Sequence, residues 1–201
     1  MEPIETKRIG KYEIDIYYDE HAESPLEWDS LGTMLCFHRK YSLGHDNLTY
    51  LETDYTSWEE LEQDIISKEN VHTILPLYLY DHSGITISTK PFYDHYYSVR
   101  DSGQIGYIFA PKKKVKELGI KEDKVEQTLL AEVDTYDQYI RGDIYGFIIS
   151  EVTTDEEGNE IKEEVDSCWS FYGYDSCVQE TEYIVNELTK NDLYVEQTAN
   201  P

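Results

Sequence analysis

The chain has 201 residues, enough for a real core in one domain, or in one domain with a small appendage. Its 42 acidic residues against 17 basic ones leave a net charge of −25, which sets it against DNA, RNA and anionic membranes and favours basic partners, divalent cations or high salt. Aromatic residues make up 13 %, nineteen of them tyrosine, and the apolar residues cluster periodically, which excludes a disordered acidic tail.

In chain order, "KYEIDIYY" alternates strictly and predicts a half-buried strand, with Tyr12, Ile14 and Ile16 on one face and Glu13, Asp15 and Tyr17 on the other. "TMLCFH" (33–38) predicts a second, more buried strand, and "YSLGHDN" (41–47) a loop. "SWEELEQDIISKEN" opens a helix through a capping box, Ser57 with Glu60, and its apolar stripe is Trp58, Leu61 and Ile65. "HTILPLYLY" and "GITIST" flank "DHSG" as a hairpin, where Pro76 calls for an edge or a bulge.

"QIGYIFA" is a further strand. "PKKKVKELG" is a short helix with Pro111 near its first turn and Gly119 as its stop. Residues 123–140 form the strongest helix, with Val125, Leu129, Val133, Tyr136 and Ile140 on one arc and Gly142 at the end. "DIYGFIISEV" and "IKEEVDSCWSFYG" surround "TTDEEGNE" as a hairpin turning at Gly158-Asn159. A last helix is expected over about 175–189, burying Cys177, Ile184 and Leu188. The class is therefore α+β, a mainly antiparallel sheet with three to four helices packed against it. No linker or repeat interrupts the chain, so one domain over 1–201 is expected, with loose ends at about 1–9 and 191–201.

No apolar run approaches the ~20 residues of a membrane span, and "MEPIETKRIG" lacks a signal-peptide core. Cys36, Cys168 and Cys177 show no CxxC spacing. A reducing cytosol is the expected location. Cys36 and His38 stand at strand spacing i, i+2, but the cysteine lies in an apolar run and reads as structural, as does Cys177. No glycine pattern forms a phosphate cradle. "KKKVKELGIKEDK" holds six of the positive charges and reads as a counterpart to acidic surface, the chain's own or a partner's.

Two Asp-His pairs, Asp81-His82 and Asp94-His95, stand thirteen residues apart and could converge from a hairpin onto a metal. Adjacent strand residues point to opposite faces, so loop histidines are the better reading, and no cofactor is implied. The acids carry more. They spread over 13–29, 52–69, 122–143 and 151–166, and "TTDEEGNEIKEEVDSCW" sets seven carboxylates around one lysine.

On an extended strand, Glu13 and Asp15 stand about 6.6 Å apart on one face, with Asp19 assigned to the same row. Glu164 and Asp166 repeat the spacing beside the tip acids Asp155, Glu156, Glu157, Glu160 and Glu163. Duplex DNA presents one charge per ~1.7 Å of axis, and stacked carboxylate rows approach that density.

The segments "ESPLEWDSLGTMLCFHRKYSLG", "ILPLYLYDHSGITISTKPF", "DSGQIGYIF", "VDTYDQYIRGDIYGF" and "EEVDSCWSFYG", spread over roughly 10–175, resemble a family of small, mostly uncharacterised acidic proteins carried by bacteriophages and mobile elements. The resemblance transfers no reaction and no catalytic residue. It implies an accessory protein in a bacterial cytoplasm, and with the charge it implies a non-enzymatic inhibitor of a restriction- or CRISPR-type enzyme. Such an inhibitor would occupy the nucleic-acid groove of a basic host protein. Two alternatives stand beside it: a metal-dependent enzyme on Asp81, His82, Asp94 and His95, and a structural or regulatory phage protein whose acidity serves solubility alone.

Overall fold

The computed structural model describes residues 2–46, 49–93 and 101–199, with side chains as far as Asp192. The fold is α+β and all strand pairing is antiparallel. The contacts divide the chain into two compact units, inner and outer by their order along the sequence alone: residues 24–141, and residues 1–23 with 142–201. No glycine- or proline-rich linker announces this division.

The inner unit is built on a four-stranded sheet, β3 (Thr33–Cys36), β6 (Ser102–Pro111), β4 (Val71–Asp81) and β5 (Ile85–Ser88), in that order. Alternation along β6 splits its core in two. Ile108 and Ala110 face helix α3 (Val125–Arg141), joining Leu129, Val133 and Tyr136, whereas Tyr107 and Phe109 face helix α1 (Trp58–Glu69), joining Leu61 and Ile65. A short helix α2 (Lys112–Glu117) follows β6 directly and ends at Gly119, whose φ of 66° places it in the left-handed region that stops a helix.

Half of the expected capping box at α1 is present: the Ser57 hydroxyl accepts from the Glu60 amide at 3.3 Å, whereas the Glu60 carboxylate reaches past the N-cap to the Thr56 amide at 2.8 Å. Pro76 meets the edge expectation and not the bulge. β5 covers only Tyr78–Asp81 of β4, so Pro76 lies on an open stretch of edge, one residue before the irregularity at Leu77/Tyr78.

The outer unit closes around a sheet of order β1 (Glu5–Ile9), β2 (Tyr12–Tyr18), β7 (Ile144–Thr154) and β8 (Glu160–Tyr172). Helix α4 (Tyr174–Ala199) packs Cys177 and Val185 against Tyr12, Ile14, Ile16, Tyr145, Phe147 and Ile149. Its buried stripe runs Cys177, Thr181, Val185, so Ile184 and Leu188 are only partly buried.

Both ends differ from expectation. Glu5–Ile9 is an edge strand rather than a loose end; "ETKRI" lacks the apolar alternation that would announce it, and its pairing with β2 forms it. α4 runs beyond Asn191, because no glycine or proline stops it, and Asp192 is tied down by Lys11 at 3.0 Å and by the Tyr12 hydroxyl at 2.8 Å. No helix among the described residues is long and apolar enough to cross a membrane.

Candidate functional site

Charge is not shared evenly between the units. Residues 1–23 and 142–201 hold 22 acidic and 5 basic residues, a net of −17, while residues 24–141 hold 20 and 12, a net of −8. Two thirds of the excess thus sits on the smaller unit, and its densest part is the β7–β8 hairpin.

The hairpin turn is organised by Asp155. Its carboxylate accepts from the amides of Glu157 at 2.9 Å and Asn159 at 2.7 Å and from the Asn159 side chain at 3.0 Å, which holds its pKa below the usual carboxylate range. Gly158 takes a φ of 88°, open to glycine and costly to other residues. The fixed turn projects Glu156 and Glu157 into solvent.

β8 is an outer strand, and every residue from Glu160 to Ser170 is exposed. Edge strands carry charge to avoid pairing with other chains, and Glu160, Glu163, Glu164 and Asp166 meet that need. They differ in what holds them. Glu160 pairs with Arg8 on β1 at 2.6 Å, which lowers its pKa. Glu164 accepts the Ser167 hydroxyl at 2.8 Å. Glu156, Glu157, Glu163 and Asp166 make no ion pair or side-chain hydrogen bond among the described residues.

The second row, Glu13, Asp15 and Asp19, does not form an open face of carboxylates. Glu13 is buried and ion-paired with Lys162. Asp15 accepts the Thr6 hydroxyl at 2.5 Å. Asp19 lies past the end of β2, where its carboxylate takes the amides of Ser170 and His21, each at 3.0 Å. The alternation that suggested the row was correct for Glu13 and Asp15; their cross-strand partners lay beyond its reach.

Asp81 ends β4. It is ion-paired with Lys40 at 3.1 Å and accepts the Tyr41 hydroxyl, and Lys40 is the main cause of its lowered pKa. His82 faces Asp101 at 3.2 Å. Asp94 and His95 lie outside the described residues. Among the described residues no group of three His, Cys, Asp or Glu side chains gathers to hold a metal ion.

No hydrogen bond joins Cys36 to His38 among the described residues. Burial pushes its thiol up to about 12, and the His38 ring stacks on Tyr41 at 5.1 Å while its Nδ1 accepts the Tyr41 amide at 3.2 Å.

Two acids that the sequence placed on no site are spent inside the inner unit. Glu132 takes the amides of Leu31 and Gly32 at 2.7 and 2.8 Å, and Asp137 takes the Ile87 amide at 2.7 Å and the Thr86 hydroxyl at 2.6 Å. Both ride on the α3 arc next to its apolar stripe, the one signal that could have marked them as inward-facing.

Comparison with known proteins finds no matching family model, no matching curated protein and no matching solved structure.

Proposed function

We propose that the chain is a non-enzymatic inhibitor acting in a bacterial cytoplasm, which offers its acidic outer unit to the basic nucleic-acid groove of a host DNA- or RNA-processing enzyme. A restriction- or CRISPR-type defence enzyme is the class that the phage-like resemblance favours. One observation carries the reading: a net of −17 on the smaller unit, with Glu156, Glu157, Glu163 and Asp166 exposed along a rigid hairpin and committed to no ion pair or side-chain hydrogen bond among the described residues. A groove of lysines and arginines built for phosphates would find there a dense, fixed array of anions. Glu13, Asp19 and Asp155 keep structural duties, so the contact weight falls on the hairpin acids rather than on the β2 row.

The test is capture from a bacterial lysate on the immobilised chain, with elution by salt and by duplex DNA. A quadruple Glu156, Glu157, Glu163 and Asp166→Lys variant runs alongside a charge-matched control at Glu122, Asp123, Glu126 and Asp134. The expected result is one nucleic-acid enzyme in stoichiometric amount, displaced by DNA, lost in the hairpin variant and kept in the control. Equal retention by both variants, or a ladder of weakly held basic proteins, removes mimicry as the function.

A further inference from the structure

The inner unit holds two adjoining cavities that share Phe37, Glu52 and Trp58 as walls. The first, about 240 Å³, is completed by Tyr55, Thr56, Ser57 and Leu61. The second, about 360 Å³, runs on past Arg39, Asp81 and Gly103. A volume of 240 Å³ lies below the roughly 300–1,000 Å³ of sites for drug-sized ligands. It suits the end group of a side chain or a small ion rather than a nucleotide.

The aromatic walls are fixed before any ligand arrives. Phe37 and Trp58 lie with ring centroids 6.4 Å apart and planes 21° apart. Tyr107 and Trp58 meet nearly at right angles, centroids 6.2 Å apart, and Tyr107 donates its hydroxyl to the Trp58 carbonyl at 3.0 Å. The Tyr55 hydroxyl donates to Asp64 at 2.6 Å, and Thr56 donates its amide and hydroxyl to Glu60 at 2.8 and 2.7 Å. Rings held this way lose little freedom on binding.

The sign of the local charge selects the ligand. Residues 51–64 hold six carboxylates and no lysine or arginine. Glu60 and Asp64 are engaged in holding the walls, whereas Glu52 lines both cavities and makes no ion pair or side-chain hydrogen bond among the described residues. The amides at the start of α1 would by themselves attract an anion. Here they already face the Ser57 hydroxyl and the Glu59 carboxylate, and a backbone amide together with that hydroxyl holds the Glu59 pKa low. Arg39 lines only the second cavity, and no lysine or arginine lines the first. Aromatic faces beside an uncompensated carboxylate attract cations with little hydration, such as guanidinium and methylated ammonium groups.

We propose that the cavity between Phe37, Tyr55 and Trp58 is a binding site for an organic cation, with the ring faces supplying cation–π attraction and Glu52 the counter-charge. The site lies on the inner unit and does not depend on the acidic hairpin, so its failure and the failure of the inhibitor reading are separate results.

The experiment titrates the full chain with choline, with N-acetylarginine methylamide, with inorganic phosphate and with 3,3-dimethylbutan-1-ol, the neutral isostere of choline. The readout is the Trp58 indole N–H resonance, assigned with Trp58→Phe. The expected result is roughly millimolar binding of a cation and at least about tenfold weaker binding of the neutral isostere. Glu52→Gln, an exposed change that leaves the urea midpoint in place, should weaken the cation about three- to tenfold. Preference for the arginine amide assigns the site to a partner's side chain, and preference for choline assigns it to a free quaternary ammonium. Equal binding of the isostere, a response to phosphate in place of the cations, or an unmoved Trp58 signal with every cation overturns the proposal.

Discussion

Lys162 reaches across the outer sheet to the carboxylate of Glu13, a residue 8 % exposed. It is the only basic residue between Arg141 and Lys190, and the ion pair with Glu13 raises its own pKa. A buried carboxylate stripped of its partner keeps its desolvation cost and loses the compensation. Lys162→Met should therefore lower the urea midpoint more than Glu163→Gln, which removes an exposed acid from the same strand. Glu13→Gln placed on top of Lys162→Met should recover part of the loss. An unchanged midpoint in Lys162→Met would mean that Glu13 finds its stabilisation elsewhere.

Asp137 makes a comparable commitment inside the inner unit. Its carboxylate holds the Ile87 amide and the Thr86 hydroxyl, and it is 8 % exposed. Asp137→Ala leaves a buried amide unpaired and should cost about 1–3 kcal/mol by urea denaturation. Arg141→Ala removes the exposed partner of the same carboxylate, 3.2 Å away, and should cost less than about 1 kcal/mol. Equal losses would shift the stabilising role from the amide bond to the ion pair.

These two acids show where sequence reasoning stops. The elements were legible because their signals are local: alternation in "KYEIDIYY", the Ser57–Glu60 capping box, and the 3.6-residue stripe of α3 closed by Gly142. The hairpin was legible for the same reason, since Asp155 and Gly158 organise it from within. What each carboxylate does depends on residues far along the chain. Glu13 meets Lys162, Asp19 meets Ser170, and Asp137 meets Ile87, and no spacing rule encodes those pairs. The aromatic cavity was hidden likewise, because Phe37 comes from the end of β3 while Tyr55 and Trp58 come from the approach to α1.

His45 should make the inner unit sensitive to mild acid. Burial pushes its pKa down, and the Met34 amide donates to its Nδ1 at 3.0 Å. A backbone amide can only donate, so that bond requires the unprotonated nitrogen. A folded pKa below the unfolded value of about 6.5 gives stability that is present above that value and is lost as pH falls through the folded pKa. The urea midpoint should drop below about pH 6.5, and His45→Asn, which cannot titrate, should flatten that part of the profile. Parallel profiles for the two proteins would place the acid sensitivity on the carboxylates instead.

The three cysteines should separate cleanly by reactivity. Burial pushes the Cys36 thiol up to about 12 and the Cys177 thiol up to about 11, while Cys168 sits exposed on β8. The thiolate is the reactive form, so near pH 8 only about one Cys36 in ten thousand is ready to react, even though that residue keeps some exposure. Iodoacetamide should modify one thiol in the folded protein, abolished by Cys168→Ser, and three in urea. Rapid modification of Cys36 in the native state would show that its end of β3 opens on the labelling timescale. Since Phe37 follows it directly, such opening would also loosen the aromatic wall on which the cation site depends.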